Sequence, residues 1–508
     1  MGTSMMEIER KFEAPGVGSL PDVTAVRGVA SVRAAEAEDL DATYYDTADL
    51  RLLAQGVTLR RRTGGHDAGW HLKLPVGKDS RREVRLPLDA GPPREVPAEL
   101  SRLVVGLARG GSLAPVAHLR THRTRHLLCD DTGTVVAELA EDRVTAQTLG
   151  GPGRDSGVTE VTSWQEIEVE LGEGRKPLLK ALTKKLTAAG IKRAGSGSKL
   201  ARVLGEDLGD AAPGTRAGSA GEAGLRRLSG LRDPMLRWDP AVRRDEPDSG
   251  HRMRVATRRL RSALKSYRNV LDRRRTDPVE AELKWLAGEL GRARDAEVLG
   301  ERLTGQTDRL PPELVLGPVR ATLAEWSADT YRAAHAEVVA TLSGRRYVAL
   351  LKALDALLTD PPLRPAADRK AAKVLAATAR REHRRVAERL DTALKPAPGR
   401  ERDTALHAAR KAAKRARYAG ETARDTLGKR AERFTRRMKE AQERLGVHQD
   451  AVVPRQALRG LAVRAHEAGE NSFTYGLLHG VQTAAADDVE RELPALRRRV
   501  AKAGKRLG

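Results

Sequence analysis

The first part of the chain is built from short runs in which apolar and polar side chains alternate. These runs lie at 6–12, 56–62, 70–75, 82–88, 123–129, 134–139 and 164–171. An alternation with a period of two is typical of half-buried β-strands, and repeated short strands favour an antiparallel sheet or barrel. The pattern also predicts helices near 22–38 and 177–190.

The pattern changes after residue 220, where long stretches rich in Ala, Leu and Arg replace the alternating runs. They are interrupted at Pro278, Pro311, Pro361 and Pro396, which is typical of an all-helical domain. Residues 205–224 are rich in Gly and Ala and lack a hydrophobic period, so they are predicted to form a flexible linker. We therefore predict an α+β multidomain protein, with domains at 1–204 and 225–508.

The charge of the chain is concentrated in its second part. The 508 residues carry 92 Lys+Arg and 69 Asp+Glu, a formal net charge of +23. Residues 1–205 hold 30 and 27 of these, a net of +3, and the remaining 62 and 42 give the second part +20. This excess predicts a polyanionic partner, which could be nucleic acid, an anionic membrane or a phosphate polymer.

The composition argues against several classes of ligand, site and location. With 3 Phe, 5 Trp and 7 Tyr, the chain has few side chains for the base stacking of single-strand-binding proteins. The lone Cys129 excludes a disulfide framework and a cysteine-based metal site. We find neither an apolar run long enough to span a membrane nor an opening secretory stretch, which predicts a cytoplasmic protein.

Charged side chains collect on one face of several predicted strands, because residues two apart point the same way. These sets are Glu7, Glu9 and Lys11; Thr58, Arg60 and Arg62; Arg81, Glu83 and Arg85; Arg123 and Arg125; and Glu166, Glu168 and Glu170. They could be the solvent faces of an ordinary sheet. Alternatively they converge inside a barrel, where basic groups would hold a phosphate chain and carboxylates a cation such as Mg²⁺ or Mn²⁺.

The helical part contains an internal duplication. Residues 251–261 (HRMRVATRRLR) and 407–417 (HAARKAAKRAR) share the pattern His-x-x-Arg-x-x-x-basic-basic-x-Arg. In each copy the spacing i, i+3, i+7 and i+10 puts the basic groups on one helical face. Such a face is often merely solvated, but its repetition favours two related halves that form one continuous cationic groove.

A second pair of motifs supports the duplication. LGRARDA at 290–296 and LGVHQDA at 445–451 place Asp295 44 residues after His251 (295 − 251) and Asp450 43 residues after His407 (450 − 407). These two aspartates are predicted to be charge partners or helix caps.

The motifs of the first part resemble those of the CYTH domain, the triphosphate tunnel metalloenzymes. EIERK at 7–11 matches the Glu-x-Glu-x-Lys signature of that family. LRRR, WHLKLP, RTHRTR, ELAED, QEIEVEL and SKLARVL follow in the family's order, so the resemblance covers about residues 5–204. It implies an eight-stranded tunnel that binds triphosphates and cleaves or cyclises them with a metal.

The resemblance also implies roles for individual residues. Glu7, Glu9 and Lys11 would be catalytic, and Glu83 would orient arginines. The implied ligands of Mg²⁺ or Mn²⁺ are Glu7, Glu9, Glu138, Asp142, Glu166, Glu168 and Glu170. The implied phosphate contacts are Lys11, Arg60, Arg62, Lys73, Arg85, Arg123, Arg125 and Lys199.

Residues 220–505 resemble the CHAD domain, the conserved-histidine α-helical domain. This implies two pseudo-symmetric four-helix bundles that bind inorganic polyphosphate. The residues that match its motifs are His251, Arg254, Arg258, Arg259 and Arg261 in the first copy, and His407, Arg410, Lys414, Arg415 and Arg417 in the second. The alanine-rich second copy departs from the first in having less bulky apolar packing.

Together these observations predict a metal-dependent triphosphatase of inorganic triphosphate or a related compound, fused to a polyphosphate-binding domain. Adenylate cyclisation, thiamine-triphosphate hydrolysis and a catalytically idle tunnel that only scaffolds polyphosphate remain alternatives for the first domain. Nucleic acid is the rival ligand for the second, although we find no helix-turn-helix or RNA-binding signature. A cytoplasmic location associated with polyphosphate granules would fit this reading.

Overall fold

The computed structural model describes residues 2–14, 20–92, 94–149, 160–205 and 214–504. The chain forms two compact units, Met1–Ala211 and Ala212–Gly508. Part of the predicted linker, residues 206–213, lies outside the described residues. Its last five residues belong to the first helix of the second unit, which begins at Ala220.

The first unit is a closed antiparallel sheet. Its strands are β1 (Thr3–Glu13), β2 (Ser31–Ala34), β3 (Glu38–Asp46), β4 (Thr58–Thr63), β5 (Gly69–Gly77), β6 (Ser80–Leu86), β7 (Ala114–Cys129), β8 (Val135–Thr148), β9 (Val161–Leu171) and β10 (Lys192–Arg193). The order β1-β6-β5-β4-β3-β7-β8-β9 returns to β1, because β1 pairs with both β6 and β9. This ring confirms the predicted eight-stranded barrel, to which β2 and β10 add short edges.

Three helices accompany the sheet: α1 (Ala98–Val104), α2 (Lys176–Ala188) and α3 (Lys199–Leu204). Leu179 and Leu182 of α2 pack with Phe12, Ile167 and Val169 in one buried cluster outside the ring. Because these strand residues alternate with the glutamates of β1 and β9, the carboxylates must point into the ring. The charged faces therefore line a tunnel and are not solvent faces.

Helix α3 lies against the inner face of the sheet. Leu200 and Leu204 are fully buried with Leu119 and Val144, which share the inward-pointing faces of β7 and β8 with Arg123 and Asp142. This apolar packing fills one part of the ring. It also brings Lys199, the first residue of α3, next to the charged part.

The sequence pattern misplaced two elements of this unit. The helix predicted near 22–38 is wrong, since this segment contains turns and the strand β2, which pairs with β7. Gly28 has a φ of +96°, which a right-handed helix does not accommodate. Strand β3 was not predicted, because its aspartates are rare in strands. The predicted helix at 177–190 is confirmed by α2.

The second unit is helical throughout. Its helices are α4 (Ala220–Arg243), α5 (Ser249–Ser266), α6 (Arg273–Thr307), α7 (Val319–Ser343), α8 (Arg345–Thr359), α9 (Ala371–Ala393), α10 (Arg400–Thr422), α11 (Arg424–Leu427), α12 (Lys429–Glu467) and α13 (Phe473–Gly504). Short 3₁₀ turns lie at Pro312–Leu314 and Pro365–Asp368 of this unit, and at Leu53–Gln55 of the first. No helix in the described part of the chain is both long and apolar enough to cross a membrane.

The helices repeat in two sets of four. Consecutive members of α4, α5, α6 and α7 pack together, as do those of α9, α10, α12 and α13, while α8 and α11 are additions. A shared apolar cluster joins the sets where Leu303 and Leu323 meet Leu458 and Leu478. This arrangement confirms the two predicted four-helix halves. The predicted interruption at Pro278 is wrong, since this residue lies inside α6, at its sixth position.

Candidate functional site

The inner surface of the ring brings carboxylates and basic groups of distant strands into direct contact. The described pairs include Lys73 with Glu7 (2.7 Å), Arg123 with Asp142 (2.7 Å) and Arg125 with Glu138 (2.7 Å). All the residues that the CYTH resemblance assigns to metal or phosphate lie on β1, β4, β5, β6, β7, β8, β9 or α3. Together with Glu83, the residues assigned to metal and those assigned to phosphate comprise equal numbers of carboxylates and basic side chains.

One group of carboxylates stands out as a candidate cation site. Single oxygens of Asp142, Glu166 and Glu168 all lie within 4.8 Å of one another. Strand pairing explains this, because Asp142 of β8 is directly opposite Glu166 of β9. Three converging carboxylates form a donor set that suits Mg²⁺ or Mn²⁺, so the residues present fit the metal that the fold family implies.

Basic side chains surround this group. Lys199 Nζ lies 2.7 Å from Asp142, 2.8 Å from Glu166 and 2.6 Å from Glu168. Lys11 and Arg123 also contact Glu168. These cations outweigh the effect of burial and hold the pKa of Glu168 well below its ordinary value, so the group is ionised.

Glu7 and Glu9 form a second acidic group on the β5–β6 side of the tunnel. Lys73 pairs with Glu7 at 2.7 Å, whereas its Nζ is 4.0 Å from Glu9 and 3.7 Å from Glu83. Burial, opposed by Lys73, raises the pKa of Glu7 to about 7, with a hydrogen bond to Glu83 adding to the rise. The structure thus places five of the predicted metal ligands in two groups, which Lys11 links at 4.0 Å from both Glu9 and Glu166. Of the other two, Glu138 pairs with Arg125 and Glu170 lies opposite Glu9 in the pairing of β1 with β9.

Arg85 is the residue that Glu83 contacts most closely, while the orienting role of Glu83 stays a prediction. Glu83 Oε1 also accepts a hydrogen bond from His71 Nδ1 at 2.8 Å, and both side chains are buried. His71 lies on β5 facing the tunnel, yet the sequence analysis missed it. The alternation that marked Lys73 could have found it, because the two residues are two positions apart.

The remaining predicted phosphate contacts form a basic stretch of the tunnel wall. Burial, then Arg60 and Arg123, lower the pKa of Arg62 to about 9. Arg60 Nη1 donates to the Tyr44 hydroxyl at 3.3 Å. A guanidinium group whose pKa is lowered by neighbouring arginines favours the approach of an anion, since added negative charge relieves their mutual repulsion.

Three further tunnel residues were not predicted. Asp67 contacts Arg62 and lies 3.7 Å from Arg85, and Glu38 is 3.2 Å from Arg125. Tyr44 lies on the unpredicted strand β3, as does Glu38. If β3 had been predicted, its alternation would have indicated Glu38 and Tyr44. Asp67 lies in a turn, where no strand alternation can indicate it.

The duplicated helical motifs lie on α5 and α10, which contact each other. The basic groups at the third, seventh and tenth positions after the histidine of each motif form a surface that we call the cationic face: Arg254, Arg258, Arg261, Arg410, Lys414 and Arg417. Arg254 Nη1 is 2.8 Å from Asp295, and Arg410 Nη2 is 3.9 Å from Asp450. The predicted role of these two aspartates as charge partners is therefore confirmed.

The two copies also match in their helix contacts. An added Cβ on Gly291 would lie 3.2 Å from Arg254, and one on Gly446 would lie 3.5 Å from Arg410. Each arginine thus packs over a glycine at the same place in the repeated LG motif. Arg259 of the first copy reaches Glu421 of α10 at 3.3 Å, which ties the halves together.

Electrostatic repulsion is strongest at the centre of the cationic face. Among the described residues, neither Arg258 nor Lys414 has a carboxylate within ion-pair distance. Burial, followed by Arg258 and Arg410, lowers the pKa of Lys414 to about 7. Burial and its arginine neighbours also lower the pKa of Arg258. A polyanion laid on this face would raise both pKa values and favour the charged form of Lys414.

The other predicted polyphosphate contacts are placed around this centre. His251 is exposed and His407 half-buried at the start of their motifs. Arg261 contacts Glu280, and Arg415 and Arg417 lie 3.6 and 3.5 Å from Glu382 and Glu421.

The helical unit also holds a mixed group that the sequence analysis missed. Asp403, the buried His448 and Glu490 converge from α10, α12 and α13, with ligand atoms within 4.8 Å of one another. Arg402 and Arg455 pair with its two carboxylates. These residues are more than forty positions apart, so no local motif marks them.

Two family models match the chain: that of the CYTH domain over residues 5–204 and that of the CHAD domain over residues 226–459. An uncharacterized protein of Mycobacterium tuberculosis (strain CDC 1551 / Oshkosh), MT2285, is 39% identical over 507 residues, which cover 98% of this chain and 97% of that protein.

Among solved structures, the CHAD domain from the plant Ricinus communis is 25% identical, with a TM-score of 0.46, and the match covers 56% of this chain and 94% of that one. The PH1819 protein from Pyrococcus horikoshii OT3 is 17% identical, with a TM-score of 0.24, and its match covers 39% and 99%.

Proposed function

The chain belongs to the proteins that join a CYTH domain to a CHAD domain, and we propose that its tunnel hydrolyses inorganic triphosphate with a divalent metal ion. The observation that carries the proposal is the inner surface of the ring. There the carboxylates of Asp142, Glu166 and Glu168 lie among lysines and arginines. This combination suits a substrate that is itself a chain of phosphates.

Asp142, Glu166 and Glu168 would hold the metal ion. When bound, a Mg²⁺ or Mn²⁺ ion would add positive charge at the phosphoryl oxygens and make a coordinated water more acidic. Glu7 and Glu9 belong to the other acidic cluster and pair with Lys73. They would set the position of that lysine or complete the coordination from the opposite side.

The basic groups would bind and orient the substrate. Arg60, Arg62 and Lys73 lie where they can share the charge of a triphosphate, which is about four negative charges, and guanidinium forks match phosphate oxygens in shape. In the reaction, a water oxygen bonds to the terminal phosphorus while the bond to the bridging oxygen breaks. Pyrophosphate then leaves with that electron pair, stabilised by the same cations, and takes up the proton that the attacking water gives up.

The test of the tunnel is phosphate release from tripolyphosphate by the full chain, with ATP and long-chain polyphosphate measured alongside, with and without Mn²⁺. We expect metal-dependent release from tripolyphosphate and little from ATP. Cyclic AMP formation from ATP would favour the adenylate cyclase alternative. Faster phosphate release from thiamine triphosphate than from tripolyphosphate would favour the thiamine-triphosphatase alternative. Polyphosphate binding without any turnover would leave only the scaffolding role.

We further propose that the cationic face binds inorganic polyphosphate. The support is the repulsion around Arg258 and Lys414, which a chain of closely spaced phosphates would relieve along both helices. Nucleic-acid backbones offer similar charges more widely spaced. In a competition assay at matched phosphate concentration, polyphosphate should displace a labelled polyphosphate far better than DNA or RNA. Equal displacement would show a general polyanion binder.

A further inference from the structure

The tunnel already contains a cation at its candidate metal site. Lys199 Nζ lies between 2.6 and 2.8 Å from one oxygen each of Asp142, Glu166 and Glu168. The lysine is only 7% exposed. These are the three carboxylates whose oxygens converge within 4.8 Å.

The contacts of Lys199 resemble those of an ion more than those of a hydrogen-bond donor. Its ammonium group donates a hydrogen bond to Glu168 Oε1. Glu166 Oε1, although 2.8 Å away, has no hydrogen-bond partner in the described part of the chain and is buried. The carboxylates are therefore arranged around a point charge, and one of them retains an unsatisfied oxygen.

A divalent ion and the ammonium group cannot share this position. Oxygen ligands hold Mg²⁺ at about 2.1 Å, so an ion bound by the three carboxylates would overlap or closely approach Lys199 Nζ. Two positive charges at that separation in a buried site would repel each other strongly. Binding of the ion therefore requires the lysine side chain to leave.

The fold permits this movement without rearrangement of the helix. Leu200 and Leu204 anchor α3 in an apolar cluster, so the backbone of Lys199 is fixed. Its four-carbon side chain can rotate about each of its bonds. Tyr44 belongs to the same buried cluster as Leu200, the residue after Lys199, and its hydroxyl accepts from Arg60, so this part of the basic wall adjoins α3.

We propose that Lys199 is a tethered counter-ion, which occupies the metal position in the empty tunnel and is displaced toward the phosphate-binding wall when a divalent ion binds. The displaced ammonium group then becomes free to contact phosphate. This inference takes the metal site from the proposed function, but it concerns cation binding and not hydrolysis. It also reconciles the predicted phosphate contact of Lys199 with its carboxylate partners.

The test is the affinity of the full chain for Mn²⁺ alone, measured by electron paramagnetic resonance of free Mn²⁺. Lys199→Met should bind Mn²⁺ about tenfold more tightly than the unaltered chain, because the ion no longer displaces an ammonium group. Lys199→Arg keeps the charge and should restore weak binding. Circular dichroism of each variant shows whether it is folded.

Lys11→Met is the matched control for simple loss of positive charge. Lys11 contacts Glu168 but lies 4.0 Å from Glu166, so it does not occupy the centre of the group. We expect its Mn²⁺ affinity to rise about threefold or less. An equal rise in both variants, or no change in Lys199→Met, would overturn the proposal.

A second measurement needs no variant. In the unaltered chain, acetylation of Lys199 by acetic anhydride, followed by mass spectrometry, should be slow without metal and several-fold faster with Mn²⁺. An unchanged rate would contradict displacement of the lysine. Neither readout depends on turnover, so an inactive tunnel with the expected Mn²⁺ results would refute the proposed hydrolysis and leave this inference standing.

Discussion

The tunnel and the cationic face both concentrate basic groups, but they balance them in opposite ways. Burial alone would lower the pKa of Lys199, yet Asp142, Glu166 and Glu168 hold it well above its ordinary value. Burial also lowers the pKa of Lys414, and there the neighbouring arginines lower it further, to about 7. One lysine is surrounded by carboxylates and the other by cations.

This difference indicates two modes of anion binding. A polyanion entering the tunnel must take cations away from carboxylates that already neutralise them, so its charge needs a compensating metal ion. On the cationic face no such exchange is required at Arg258 and Lys414. We therefore expect the tunnel to depend on metal and the helical face to bind without it.

The largest expected effect is on the chemistry of the tunnel. Glu166→Gln combined with Glu168→Gln removes two carboxylates of the metal group and should lower metal-dependent phosphate release roughly 100-fold or more. Glu173→Gln, an exposed position just beyond β9, is the matched control and should retain activity. Retained activity in the double variant would show that the metal is held elsewhere.

Stability should respond to the two surfaces with opposite signs. Arg123→Met leaves the buried Asp142 without one of its two cations, which should cost about 3 kcal/mol of unfolding free energy. Lys414→Met removes a repelled charge and should stabilise the chain by about 1 kcal/mol. Thermal and urea unfolding measure both. Destabilisation by both variants would mean that nearby carboxylates neutralise the basic groups of the helical face as fully as those of the tunnel.

Charge reversal tests the cationic face itself. Arg258→Glu with Lys414→Glu should weaken polyphosphate binding about 100-fold and reduce its dependence on salt concentration. Arg332 and Lys439 are exposed basic residues away from the duplicated motifs, so reversing both is the control for total charge. An equal loss of polyphosphate affinity in the control would show that net charge, and not the cationic face, determines binding.

The smallest expected effect is that of pH on polyphosphate binding. The pKa of Lys414 is about 7 in the free protein, and bound phosphate should raise it, so binding takes up a proton. Affinity should then fall by up to about tenfold between pH 6 and pH 8. The groups that face Lys414 are Arg254 and Arg258 on α5 and Arg410 and Arg417 on α10.

Lys414→Arg should flatten this pH dependence, since the arginine stays charged throughout the range. Partial desolvation and neighbouring cations lower the pKa values of His251 and His407, so they charge at more acidic pH. A dependence that persists in Lys414→Arg and disappears when both histidines are replaced would assign it to them.

Much of the tunnel follows from local sequence pattern. Alternation with a period of two placed Glu7, Glu9 and Lys11 on one face, and the apolar residues between them pack on α2 outside the ring. The position of Lys199 could not be predicted in this way. It depends on α3 packing inside the sheet, which is a tertiary contact between Leu200 and strands far along the chain.

In the helical unit, too, the local pattern was predictable and the tertiary contacts were not. Helical periodicity and the repeated motifs predicted one basic face for each copy, and they predicted Asp295 as a charge partner. The contact of Arg259 with Glu421 depends on how α5 meets α10, which no spacing within one copy specifies. Hence the local face was predictable, whereas the balance of its charges was not.

The central claim is that the balanced tunnel takes up triphosphate only together with metal. The direct test is calorimetric titration of tripolyphosphate into the chain carrying Arg258→Glu and Lys414→Glu, so that the cationic face contributes little. The titrant is used first in EDTA and then as its Mn²⁺ complex. We expect the complex to bind about 100-fold more tightly. Equally tight binding of the metal-free anion would contradict the claim.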